Sequence, residues 1–193
     1  MSKAVMISIR PKWCEKILSG EKTIEVRKNC PKLGTPFKAY IYCTKGRPDL
    51  KIPISLERLM QDYLNTGSMK SLNCPHGNGK VIGEFTCDRI TRVNICGFWD
   101  DYGKQLDNRL KKTCLTLEEF CDYLGEKVGY GWHISNLKIY DTPKELIEFH
   151  TWKKCKSCSK SGYESTACIY DENCMIPAAI TKAPQSWCYV EEG

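Results

Sequence analysis

Short runs of alternating apolar and polar residues, set between turn residues and helix-length insertions, constrain this chain more than any other feature. Over residues 5–10, Ile7 and Ile9 alternate with Ser8 and Arg10, the period-2 pattern of a half-buried strand. Residues 22–28 alternate again, with Ile24 and Val26 on one face and Thr23, Glu25 and Arg27 on the other. Residues 37–44 read as a third strand. Residues 81–93, rich in β-branched side chains and preceded by Gly77-Asn78-Gly79, read as a long fourth. Residues 132–140 form a fifth and residues 185–191 a terminal strand.

Helices are expected between them. Pro11 opens one over residues 12–19, closed by Gly20. A second spans residues 55–65, where Leu56, Leu59, Met60, Tyr63 and Leu64 recur at helical spacing. A third follows Thr116, with Glu119 three residues on in the capping-box pattern. Asp141-Thr142-Pro143-Lys144 is read as the start of a short helix reaching Phe149. Five or six strands with helices slotted between them describe an α+β domain built on a small, strongly curved sheet or barrel.

The 193 residues suit a single domain with an appended module and can bury a core without disulfides. No apolar run approaches the roughly 18 residues of a membrane span, and the first residues lack a signal-peptide core, so a cytoplasmic protein with no membrane contact is expected. Charge is uneven. Residues 1–51 hold twelve Lys and Arg against four Asp and Glu, a net of +8, whereas the whole chain carries +6. A basic first quarter points either to an anionic partner, most commonly nucleic acid, or to a solvated Lys-rich surface.

The stretch from Ile7 to Lys28, and above all Ile17-Leu18-Ser19-Gly20-Glu21-Lys22-Thr23-Ile24-Glu25-Val26-Arg27, closely resembles the opening of ASCH domains of the PUA-like superfamily. Pro36 to Thr44, Gly79 to Phe85, Tyr130 to Ser135 and Pro184 to Glu191 resemble a bacterial and phage subgroup of that family. The resemblance implies a PUA-like mixed β-barrel with short helices and two insertions, at about residues 46–78 and 96–127. Residues 1–150 would form the barrel, residues 151–182 a Cys-rich loop, and residues 183–193 the final barrel strand.

It also implies a cleft that binds RNA or a modified nucleotide, lined by the segment from Gly20 to Lys28. The residues fit that role. Ser8, Arg10, Lys22, Thr23, Glu25 and Arg27 would make a wall of donors and acceptors suited to a base edge and a phosphate, with Trp13, Trp132, Trp187, Tyr40 and Tyr42 as candidates for stacking. The plainer alternative makes the aromatics core residues and Glu25 and Arg27 an exposed ion pair.

One ASCH branch hydrolyses cytidine acetylated on its exocyclic amine with a Lys, a Thr three residues later and a distant carboxylate. Lys22 matches the lysine, but Glu25 stands at the threonine position and Lys111-Lys112-Thr113 where the carboxylate is expected. A different hydrolysis, with Glu25 as general base and Lys22 as electrostatic stabiliser, requires Lys22 to lie in the turn before the strand, since strict alternation would separate them. RNA cleavage is the enzymatic alternative. His76, His133 and His150 are too scattered for a metal motif.

The 13 cysteines are mostly dispersed, as buried thiols of a reducing compartment would be. Cys155, Cys158, Cys168 and Cys174 are clustered, and four thiolates that include a CxxC pair suit a structural zinc. Free thiols, disulfides or an iron-sulfur cluster are the alternatives.

Overall fold

The computed structural model describes residues 3–67, 74–94, 110–154 and 175–191. Its strands are β1 (Lys3–Ile9), β2 (Ile24–Arg27), β3 (Phe37–Cys43), β4 (Val81–Val93), β5 (Gly129–Lys144), β6 (His150–Lys154), β7 (Met175–Ala179) and β8 (Trp187–Glu191). The helices are α1 (Pro11–Leu18), α2 (Leu56–Thr66) and α3 (Leu117–Leu124), with a 3-10 turn over Leu146–Glu148.

Six strands form one sheet in the order β2-β5-β4-β3-β1-β8, and β6 pairs with β7 in a separate ribbon. Strand β1 runs parallel to β3 and antiparallel to β8, so both its edges are occupied. Among the described residues the sheet is open rather than a closed barrel, because no ladder joins its edge strands β2 and β8. Side chains bridge the gap instead: Arg27 Nη2 on β2 donates to the Ser8 carbonyl on β1 at 2.6 Å.

Strand β1 is buried on both faces rather than one. Val5, Ile7 and Ile9 enter the main core with Ala39, Ile41, Phe85 and Trp132, while Ala4 and Met6 enter a second cluster with Tyr40, Tyr42, Val81 and Phe149. A sheet covered on both sides needs apolar residues at every position of its inner strand, which is why Ala4-Val5-Met6-Ile7 lacks clean alternation.

Strand β5 runs on to Lys144, which pairs with Val81, so the expected helix after Asp141 shrinks to the 3-10 turn. Ladder pairing across the long β4 outweighs the local helix-start signal. Helix α2 forms with Ser55 as its cap, but it buries no residue, and Leu56 and Leu64 are 68% and 76% exposed. Helical spacing identified the helix, but among the described residues no core faces it.

Candidate functional site

Pro11 at the first position of α1 pre-sets the helical backbone, and Gly20, at φ 76°, lets the chain reverse after it. The reversal is fixed by Lys22 N donating to Lys16 O at 2.8 Å and Thr23 N donating to Lys112 O at 2.9 Å. Lys22 therefore lies before β2, and its side chain turns inward beside the strand.

Three charged side chains meet there. Lys22, Glu25 and Arg27 are only 3%, 6% and 8% exposed. Lys22 Nζ lies 3.2 Å from Glu25 Oε2, and Arg27 Nη2 lies 2.9 Å from Glu25 Oε1. The ammonium also donates to Ile24 O at 3.0 Å and Thr113 O at 2.6 Å. Where the resemblance leads one to expect a carboxylate, Lys22 thus meets a backbone carbonyl. The Lys22 contact with Glu25 Oε2 is a close ion pair without hydrogen-bond geometry, so that oxygen is left without a hydrogen-bond partner, as is Arg27 Nε.

These groups border a cavity of about 680 Å³. Ser8, Arg10, Lys22, Glu25 and Arg27 all line it. Trp13, half-buried on α1 and packed against the main core, adds an aromatic wall with Lys22 Nζ 5.4 Å from its ring centre. The segment before β8 closes another side: Ser8 N donates to Ser186 O at 2.9 Å, Ser8 Oγ to Pro184 O at 2.6 Å, and Arg27 Nη1 to Ser186 Oγ at 3.4 Å.

Helix α3 supplies the remaining wall with Glu119, Asp122 and Tyr123. Thr116 and Glu119 cap it reciprocally, and Phe120 and Leu124 anchor it against Val26. Lys12 on α1 reaches Glu119 at 3.0 Å. Burial pushes the Tyr123 phenol above its ordinary pKa, and the neighbouring Arg27 guanidinium opposes that shift.

Not every residue expected at the cleft lies there. Thr23 is half-buried and does not line the cavity; its carbonyl accepts from Ile134 N at 2.9 Å. Trp132 is completely buried, edge-on to Phe37 with ring centres 5.7 Å apart, and 6.0 Å from the Trp187 ring. Tyr42 belongs to the second apolar cluster. Large aromatics on inner strands are absorbed by the core, whereas Trp13 on a helix is free to face the cavity. Gln185, Ser186, Asp122 and Tyr123 escaped sequence reading because two distant segments bring them in. The capping box located α3 but could not say which face it turns to the cavity.

Cys155, Cys158, Cys168 and Cys174 lie outside the described residues. Among the described residues, eight cysteines are free thiols and no group of three or more His, Cys, Asp or Glu side chains is placed to hold a metal ion. No described helix is long and apolar enough to cross a membrane.

An open mixed sheet with short helices and a polar cavity beside its first helix makes this an α+β protein. More narrowly, the fold is that of ASCH domains. The crystal structure of ASCH from Zymomonas mobilis matches with a TM-score of 0.53 at 17% identity, covering 98% of this chain and 88% of that one. A tyrosine-to-phenylalanine mutant of that protein matches at 0.52 and 17%, over 99% and 92% of the two chains, and a serine-to-alanine mutant at 0.52 and 17%, over 98% and 89%. No protein-family model matches the sequence, and no curated protein matches it significantly.

Proposed function

We propose that this protein binds RNA or a modified nucleotide in the cavity beside α1, in a cytoplasmic setting. The observation that carries the reading is the buried Lys22, Glu25 and Arg27 cluster opening onto a cavity with Trp13 in its wall. Glu25 and Arg27 both line the cavity and bring a carboxylate acceptor and a guanidinium donor, the complement of a base edge that offers one hydrogen and accepts another. Trp13 offers a surface on which an unpaired base can stack. The test is binding of labelled RNA and of acetylated cytidine. Arg27→Lys, which keeps the charge but loses the planar fork, abolishes binding under this reading. Wild-type affinity in that variant refutes it.

A second reading, hydrolysis of a nucleoside or RNA, is favoured by one contact. Lys22 stands 3.2 Å from Glu25 because it precedes the strand, the placement a Glu25 base with a Lys22 stabiliser requires. Turnover of either substrate, abolished in Glu25→Gln, selects the enzyme over the binder.

The zinc proposal for Cys155, Cys158, Cys168 and Cys174 draws support from the ribbon that flanks them. Lys154 pairs with Met175, so the two ends of the cysteine-bearing segment are held side by side. Bringing the ends together lowers the entropy cost of closing a metal loop.

A further inference from the structure

Two thiols that the site does not use lie beside it in the core. Cys14 on α1 and Cys43 at the end of β3 are both completely buried in the main apolar cluster. One carbonyl brings them together. Cys43 is the register partner of Ile9 across the parallel β1–β3 ladder, and the next residue, Thr44, donates its N–H to Ile9 O at 2.8 Å. Cys14 Sγ lies 3.5 Å from that same oxygen, and Cys43 Sγ lies 3.7 Å from Thr44 O. The two thiols are in hydrogen-bond contact with each other.

The pair is coupled to the cavity. Ile9, whose carbonyl Cys14 touches, lines it, as do Trp13 and Thr44, the chain neighbours of the two cysteines. A small solute in the cavity is therefore one residue away from the sulfurs. Residues 15–42, the loop that a bond between Cys14 and Cys43 would close, carry Lys22, Glu25 and Arg27. The two thiols are also unequal. Burial holds the Cys14 proton well above a thiol's ordinary pKa, and the contact with Cys43 adds to this. That same contact lowers Cys43 against the effect of its own burial, so Cys43 is the thiol that ionises first.

We infer that Cys14 and Cys43 form a reversible disulfide in the folded protein, the oxidant being a hydroperoxide small enough to enter the cavity. Cys43 Sγ attacks one oxygen of hydrogen peroxide, the O–O bond breaks, the other oxygen leaves as water, and Cys43 becomes a sulfenic acid. Cys14 Sγ then attacks that sulfur, the S–O bond breaks, and a second water leaves with the Cys14 proton. Two thiols give up two hydrogens and two electrons, and one peroxide becomes two waters. An S–S bond of about 2.05 Å is shorter than hydrogen-bond contact between sulfurs, so oxidation draws α1 onto the end of β3. None of this depends on what the cavity binds.

The test treats the full chain with hydrogen peroxide, alkylates the remaining thiols on unfolding and maps the peptides. The expected result is a peptide that joins Cys14 to Cys43 and is separated by dithiothreitol. Cys14→Ala removes the second thiol and is expected to leave Cys43 as a sulfenic acid, trapped by dimedone on unfolding, whereas the wild type gives no such adduct. Should that variant fail to fold, mapping of the wild type decides alone. Oxidation of Cys74, Cys30 and Cys121, the more accessible thiols, to completion while Cys14 and Cys43 stay reduced overturns the inference. Linkage of either sulfur to a different cysteine, or a Cys14–Cys43 link that forms only in the denatured chain, overturns it as well.

Discussion

Lys22 Nζ lies 3.2 Å from Glu25 Oε2, although the two residues stand three positions apart at the entry to one strand, where alternation would send them to opposite faces. The chain turn held by Lys16 O and Lys112 O resolves the conflict, placing Lys22 ahead of the ladder. The only carboxylate of the buried cluster is thereby set between its two cations.

Glu25→Gln removes that carboxylate and leaves Lys22 and Arg27 buried against each other. Breaking a buried pair costs about 3–5 kcal/mol, whereas Lys22→Met leaves the Glu25–Arg27 pair intact and is expected to cost less. Urea denaturation of both variants checks the order. A smaller loss for Glu25→Gln means that the cluster does not depend on its carboxylate.

Thr116→Ala deletes the hydroxyl that accepts from Glu119 N at 3.1 Å. The loss should be about 1 kcal/mol. Because α3 is a wall of the cavity, the melting temperature and ligand affinity should fall together, whereas Thr116→Ser should preserve both.

A Cβ at Gly83 would collide with the Lys138 carbonyl and the Ile139 backbone, where β4 and β5 shift register. Backbone cannot step aside as a flexible side chain can. Gly83→Ala is expected to destabilise by about 1–3 kcal/mol or more, and an unchanged denaturation midpoint would show that the bulge relaxes freely.

Burial pushes the Cys87 thiol up to about 12 and the Cys188 thiol to about 11, from an ordinary 9.0. Both hold their protons more tightly folded than unfolded. Their stabilising contribution is therefore complete below pH 9.0 and is lost as pH climbs through 11 and 12. Cys87→Ala should flatten the fall in stability between pH 9 and pH 11, measured by urea midpoints. At neutral pH, iodoacetamide should label the exposed Cys74 well before Cys87.

Freshly purified protein should carry one zinc per chain, lost in Cys158→Ser. Elemental analysis decides this. Metal-free protein whose clustered thiols titrate freely removes the zinc proposal.

Much of the fold was legible locally. Pro11, Gly20 and the Thr116–Glu119 box marked helix ends because capping and left-handed turns depend on nearest neighbours alone. Strand β4 was read to its ends because β-branched residues crowd it. The 141–149 helix failed for the opposite reason: its start signal was real, but cross-strand pairing with Val81 decided the backbone.

By itself the sequence determined six of the eight described strands and the three helices, but not the β6–β7 ribbon, together with the resemblance carried by residues 17–27 and the set of charged residues from Arg10 to Arg27 near the first turn. Tertiary structure decided which of them share a site. It sank Trp132 and Tyr42 into the two cores, raised Trp13 as the cavity's aromatic wall, and delivered Tyr123 and Ser186 from far along the chain. Among the described residues it also left the sheet open, its edge strands β2 and β8 joined by no ladder and linked instead by side chains such as Arg27 to Ser8 O and Trp187 Nε1 to Asn29 Oδ1. Local pattern records the period of an element, while the face that it turns to a site is settled by what packs on its other side.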